Sequence, residues 1–121
     1  MDPRRVYLVI EQAATHLSPM EVVDLIDVYA PLVYQYFMDA AKEYARVVAE
    51  RLKVYIQTPP TARDGVEMCV KAVVETCRRG ERRAECLQAR LLALRMRERC
   101  AELWREALKR SIVKYSQVKP Q

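Results

Sequence analysis

Two glycines, Gly65 and Gly80, and not one asparagine occur in the 121 residues of this chain. Tight turns between strands draw on those two residue types, so an all-β or α/β architecture of this length is not expected. Histidine is nearly absent as well: His16 stands alone, near the end of a predicted helix, where it reads as a partner for that helix's C-terminal dipole. The four cysteines, Cys69, Cys77, Cys86 and Cys100, are spaced by 8, 9 and 14 residues. No C-x-x-C pair exists, and neither a zinc nor an iron–sulfur site is expected. There is also no Gly-rich phosphate loop, nucleophile elbow or metal-ligand spacing, so the chain does not read as an enzyme and no cofactor is expected. No segment approaches the ~20 apolar residues of a membrane span. The apolar run over residues 6–10 stops at Glu11, too short for a signal peptide.

What is present is helix-forming and charged. With 51% hydrophobic and 31% charged residues the chain is globular, and its length suits one all-α domain with a real core. The lack of asparagine, the surplus of charge and the ratio of 15 Arg to 6 Lys lean towards a hyperthermophilic source, and without a span or signal peptide the protein is expected to be intracellular or assembled inside a cell. Helix starts are written plainly. Asp2-Pro3 supplies an N-cap and a first-position proline for a helix running to about His16. Ser18-Pro19-Met20-Glu21 has the form of a capping box, and Thr61-Ala62-Arg63-Asp64 starts another helix after the Thr58-Pro59-Pro60 break. Pro31 kinks or restarts the second helix. Beyond it, Val33, Phe37, Ala40, Tyr44, Val48, Leu52 and Tyr55 form one apolar face, while Asp39, Glu43, Arg46, Glu50 and Lys53 form the other. Asp24 and Asp27 read as ordinary helix-surface charges.

The second half divides at Gly80, a natural left-handed C-terminal residue. The predicted organisation is residues 1–57 as acidic, aromatic helices, 61–115 as a basic helical hairpin and 116–121 as a tail. A last helix over residues 81–115 would be about 52 Å long, against a diameter of ~35 Å for a compact chain of this size. It is therefore expected to bend, break or project. Its apolar stripe (Leu87, Leu91, Leu94, Leu103, Trp104, Leu108, Ile112) would then need a partner, and an oligomer is expected. Tyr29, Tyr34, Tyr36, Tyr44 and Tyr55 are assigned to core or subunit packing rather than base stacking.

Charge is segregated along the chain. Residues 1–60 hold six Lys/Arg and eight Asp/Glu, a net of −2, whereas residues 61–121 hold 15 and eight, a net of +7. Between residues 78 and 99 lie eight arginines, Arg78, Arg79, Arg82, Arg83, Arg90, Arg95, Arg97 and Arg99, against three glutamates. Guanidinium groups match phosphate oxygens, and Arg83, Arg90 and Arg97 recur every seven residues, close to one helix face. A polyanion is the expected partner, contacted along its backbone without sequence readout, since only Gln88 offers an amide for base edges. The alternative is a solvated face carrying ion pairs. Cys77 and Cys86 straddle Gly80 closely enough to form a disulfide, with buried free thiols as the alternative. On straight helices a second, nested Cys69–Cys100 bridge would be ~9 Å out of register and would need a bend.

In its length, its capped helices and its basic segment from residues 78 to 110, the chain resembles the nucleocapsid (major capsid) proteins of filamentous and rod-shaped archaeal viruses. That resemblance implies an all-helical subunit that dimerises, with itself or a related subunit, and wraps double-stranded DNA inside a helical filament. It also implies localisation in the virion, otherwise the cytoplasm. In size, helicity and basic patches the chain is also similar to the small helical subunits of CRISPR effector complexes, which line a nucleic-acid channel. A helical dimerisation or adaptor protein is the reading that needs no nucleic acid.

Overall fold

The computed structural model describes residues 1–80, Cys86 and residues 92–118. Among them there is no strand, and five α-helices make up most of these residues: α1 (Pro3–Ala13), α2 (Pro19–Tyr29), α3 (Tyr34–Leu52), α4 (Ala62–Arg78) and α5 (Leu92–Val118). Each predicted cap is formed. Asp2 accepts the Arg4 N–H at 2.9 Å. Ser18 and Glu21 exchange both bonds of a capping box, at 2.9 and 3.3 Å. Thr61 Oγ1 accepts the Asp64 N–H at 2.9 Å. Pro31 sits in a 3-10 turn, Ala30–Leu32, that separates α2 from α3. The first helix closes at Ala13, three residues before the expected His16, and His16 lies in the exposed turn that follows.

The apolar face of α3 is buried as the periodicity required, with Val33, Phe37, Ala40, Tyr44, Val48 and Leu52 all in the core. Tyr55 is not: Lys53 ends α3 in the left-handed region (φ 58°), and two residues later Tyr55 is 88% exposed. No glycine or asparagine marks that stop, so the sequence pattern runs one step too far.

The larger correction concerns α5. From Met96 onward its apolar stripe is covered by its own chain. α5 packs against each of the other four helices, and Met96, Cys100, Ala101, Leu103, Trp104, Ala107, Leu108 and Ile112 are buried there. Leu94, assigned to the same stripe, is 72% exposed, and Leu87 and Leu91 lie outside the described residues. An amphipathic helix reports that its face needs cover, but not which helix supplies it.

Trp104 is the centre of the core and has no exposed surface. Its indole stacks on Tyr44 (centroids 4.1 Å, planes 7° apart) and on Phe37 (6.0 Å, 18°). Such pairs add ~0.5–1.5 kcal/mol beyond the area they bury. The polar tips are all satisfied: Trp104 Nε1–H donates to Ala62 O (3.0 Å), Tyr44 O–H to Cys100 O (2.9 Å) and Tyr36 O–H to Leu108 O (3.1 Å). Of the tyrosines assigned to core or subunit packing, Tyr36 and Tyr44 are in the core, while Tyr34 and Tyr55 are exposed.

Candidate polyanion-binding surface

The described part of the arginine-rich segment lies at the end of α4 and the start of α5, which run antiparallel. The Trp104–Ala62 hydrogen bond fixes one level of this hairpin and a Cys69–Cys100 disulfide, with 6.0 Å between Cα atoms, fixes the next. A second disulfide joins Cys77 to Cys86, and no cysteine among these is free. The predicted Cys77–Cys86 bridge is thus present, and so is the nested one that straight helices appeared to forbid. Cys86 lies in a 3-10 conformation outside α5, so the assumption of one unbroken rod from residue 81 does not hold at that cysteine.

Several basic side chains of α4 and α5 are held by acids on other helices. Arg63 forks onto Asp24 of α2 (2.8 Å), Arg105 reaches Glu11 of α1 (3.1 Å), Arg110 reaches Glu50 of α3 (2.7 Å) and Lys114 reaches Glu43 of α3 (2.6 Å). Arg51 of α3 makes the reciprocal contact with Glu106 of α5, bidentate at 2.9 and 3.1 Å. The acidic first half and the basic second half are, to this extent, each other's counterions. Each half-exposed pair contributes little alone, ~0–1 kcal/mol, but together they fix which faces meet.

Glu43 is the exception in depth, since only 4% of it is exposed. Burial pushes its pKa up, but hydrogen bonds from Lys114 and Arg46 outweigh that and hold the carboxyl below the usual range. Glu106 is also held low, first by its bonds from Arg51 and against the effect of burial.

The candidate arginines divide accordingly. Arg97 is occupied: its Nε and Nη2 donate to the two carboxylate oxygens of Glu67 at 3.1 and 3.0 Å. That pair lowers the Glu67 pKa and raises that of Arg97. Arg78 and Arg79 lie at the C-terminal end of α4, and Arg95 and Arg99 in the first two turns of α5. All four are exposed; Arg78 and Arg79 lie at the end of the hairpin, whereas Arg99 adjoins Cys100 and so lies level with the middle of α4. Among the described residues Arg78, Arg79 and Arg99 have no carboxylate within ion-pair distance. Arg82, Arg83 and Arg90 lie outside the described residues, so the proposed row Arg83–Arg90–Arg97 is represented only by Arg97. Among the described residues, Lys71, Glu75 and Glu98 are exposed on the same stretch of the two helices.

Asp27 is the residue whose role was missed. Its two oxygens accept the Ala62 N–H (2.7 Å) and the Arg63 N–H (3.0 Å), so an acid on α2 caps the N-terminus of α4. With Thr61 taking the Asp64 N–H, the first three donors of α4 are satisfied. Nothing local in the sequence signals a cap supplied from 35 residues away.

Among the described residues no group of His, Cys, Asp or Glu side chains is arranged to hold a metal ion, and no described helix is long and apolar enough to cross a membrane. Compared with protein-family models, curated proteins and solved structures, the chain matches none.

Proposed function

We propose that this protein binds the sugar–phosphate backbone of nucleic acid, without sequence selectivity, through the arginine-rich end of the α4–α5 hairpin. The observation that carries this reading is the distribution of cations left over after folding. Acids from α1, α2 and α3 take up Arg63, Arg105, Arg110 and Lys114, whereas Arg78 and Arg79 stand exposed at the end of the hairpin and Arg99, beside the Cys69–Cys100 bridge and roughly 12 Å back along the hairpin, is exposed as well. A local surplus of guanidinium groups on rigid helix ends is suited to displacing counterions from a phosphate chain. No amide-rich face accompanies it, which favours backbone contact over base readout.

Within that class, a structural subunit coating double-stranded DNA remains the favoured role, with the hairpin end towards the duplex. Exposed Leu8, Val28, Leu32 and Tyr34 would then be available to neighbouring subunits. The interhelical ion pairs and the two disulfides suit assembly at high temperature.

The test is the salt dependence of duplex binding. Each lost phosphate contact lowers the slope of log K against log salt by about 0.9. Replacing Arg78, Arg79 and Arg99 together by Ala is expected to reduce it by about 2–3. Arg97→Ala, which removes a side chain already held by Glu67, is expected to change it far less. Equal slopes for the wild type and the triple variant would discard the proposal. Electron microscopy of the protein with duplex DNA separates the roles: continuous filaments support the coat subunit, and discrete particles a channel-lining subunit.

A further inference from the structure

Glu43 is buried between α3 and α5, and stability alone does not explain it there. Taking a carboxylate and its partners out of water is costly, and apolar residues often serve a fold as well. Two cations share one of its oxygens: Lys114 Nζ donates to Oε2 at 2.6 Å, and Arg46 Nη1 donates to the same atom. Both cationic side chains are more than half exposed, whereas that of Glu43 is buried. The ammonium and guanidinium groups therefore lie on the solvent side of the carboxylate, which holds them from beneath. Glu43 takes one donor of each, and their other N–H groups have no acceptor among the described residues.

These groups line a cavity of about 300 Å³ that opens to solvent. Asp39, Lys42, Glu43 and Arg46 come from one face of α3, at spacing i, i+3, i+4 and i+7, and Lys114 and Tyr115 come from α5. Three cations meet two carboxylates there, so the cavity keeps a positive charge. Lys42 is exposed, and among the described residues it has no carboxylate within ion-pair distance. We propose that this cavity binds a small phosphomonoester, its phosphate held by Lys42, Arg46 and Lys114, and that Glu43 is the positioning residue that fixes two of those three cations. A phosphomonoester presents three strong acceptor oxygens, one for each cation. The volume lies at the small end of ligand sites: it has room for a sugar-sized body beside the phosphate and none for a duplex. Aliphatic stems of the cations and the half-buried Tyr115 give that body apolar cover. Lys114 stands ~22 Å along α5 from Arg99, so the site neither needs nor excludes nucleic acid at the hairpin.

Positioning and simple attraction make opposite forecasts for one variant. Glu43→Gln adds one positive charge to the cavity, so attraction alone calls for tighter phosphate binding. If Glu43 positions the cations, Lys114 and Arg46 lose the contact that fixes them, and the ligand must order both side chains itself. Binding is then expected to weaken about tenfold. Lys42→Ala removes an exposed side chain that holds no other part of the fold, and should weaken binding about tenfold through one lost charge-assisted contact. Lys109→Ala removes an exposed lysine of α5 that does not line this cavity, and should leave the Kd unchanged.

Isothermal titration calorimetry of the full chain at low salt, with ribose 5-phosphate and inorganic phosphate as probes, reads these differences. Ribose 5-phosphate is expected to occupy a single saturable site, and to bind more tightly than inorganic phosphate because its sugar fills the rest of the cavity. No saturable binding of ribose 5-phosphate at millimolar concentration would overturn the proposal. So would equal weakening by Lys42→Ala and Lys109→Ala, which marks diffuse charge attraction, or inorganic phosphate binding as tightly as the sugar phosphate. A Glu43→Gln protein that unfolds cooperatively yet binds more tightly than the parent would overturn the positioning role; if that variant does not fold, Lys42→Ala still decides the site. Replacing Arg78, Arg79 and Arg99 by Ala should leave ribose 5-phosphate binding intact, so a failure of this site and a failure of duplex binding are told apart.

Discussion

Gly65 offers the sharpest test of how this core is built. It lies inside α4, where helix propensity alone says that Gly65→Ala should stabilise by about 1 kcal/mol. The packing says otherwise. A Cβ at this position would lie 2.8 Å from Trp104 Cζ2 and 3.1 Å from both Pro59 Cγ and Tyr44 Cε2. Carbon atoms settle at about 3.5–4.0 Å, so something must move by the better part of an ångström. The indole cannot easily do so. Tyr44 is stacked 4.1 Å from it, and its Nε1–H is bonded to Ala62 O, on the same helix that would carry the new methyl. Nor can α4 easily withdraw, since the Cys69–Cys100 bridge holds it to α5 one turn further on. Overpacking costs about 1–3 kcal/mol, and a site tethered on every side belongs near the upper end. Net of the propensity gain, Gly65→Ala should destabilise by about 2 kcal/mol. For a chain of this size that is a fall in Tm of about 8 °C. Thermal unfolding followed by far-ultraviolet circular dichroism measures it, and near-ultraviolet dichroism reports the displaced indole. Gly80→Ala is the control: its φ is +82° and no atom lies within 4 Å, so only the backbone cost of ~1–2 kcal/mol remains. A Gly65→Ala protein as stable as the parent would refute the close-approach argument.

Three further outcomes follow from the charges. Asp27→Ala strips the Ala62 and Arg63 N–H groups of their acceptor and should cost about 1–2 kcal/mol, with Asp27→Asn recovering part of it; equal denaturant midpoints for all three proteins would exclude the long-range cap. Glu43, Glu67 and Glu106 are held below the ordinary carboxylate range in the folded state, so the unfolded chain takes up protons first as pH falls. Their stabilisation is therefore complete above about pH 5, and is lost as pH drops from about 4.3 through the lowered folded values. Tm measured against pH should be flat near neutrality and fall on the acid side, and Glu43→Gln should lower the neutral plateau and make the acid fall shallower. An acid limb identical in wild type and variant would remove Glu43 from the account.

How legible this was depends on the range of each interaction. The caps at Asp2, Ser18 and Thr61 were readable because donor and acceptor lie within three residues of each other. The buried face of α3 was readable because periodicity is a local property. What failed was non-local. The stripe on α5 looked the same whether another subunit or α1–α4 covered it. Asp27 looked like a surface charge because its partners, Ala62 and Arg63, are remote in sequence. The Cys69–Cys100 bridge was discounted by measuring along an ideal rod that the conformation at Cys86 does not follow.

The same distinction governs the functional signal. A net of +7 in the second half of the chain is large, but total charge is a poor guide when the opposite charge is supplied by the first half of the same molecule. Arg97 and Arg99 show the point at its smallest scale. Two residues apart on one helix, they are separated by about 200° around its axis. One turns towards α4 and is taken by Glu67; the other faces solvent. A heptad count selects Arg97 with Arg83 and Arg90, whereas folding leaves Arg99, like Arg78 and Arg79, exposed and without a carboxylate in ion-pair distance among the described residues. Substituting Arg97 and Arg99 singly, in otherwise identical proteins, therefore asks whether polyanion affinity follows the sequence repeat or the charge that folding leaves unspent.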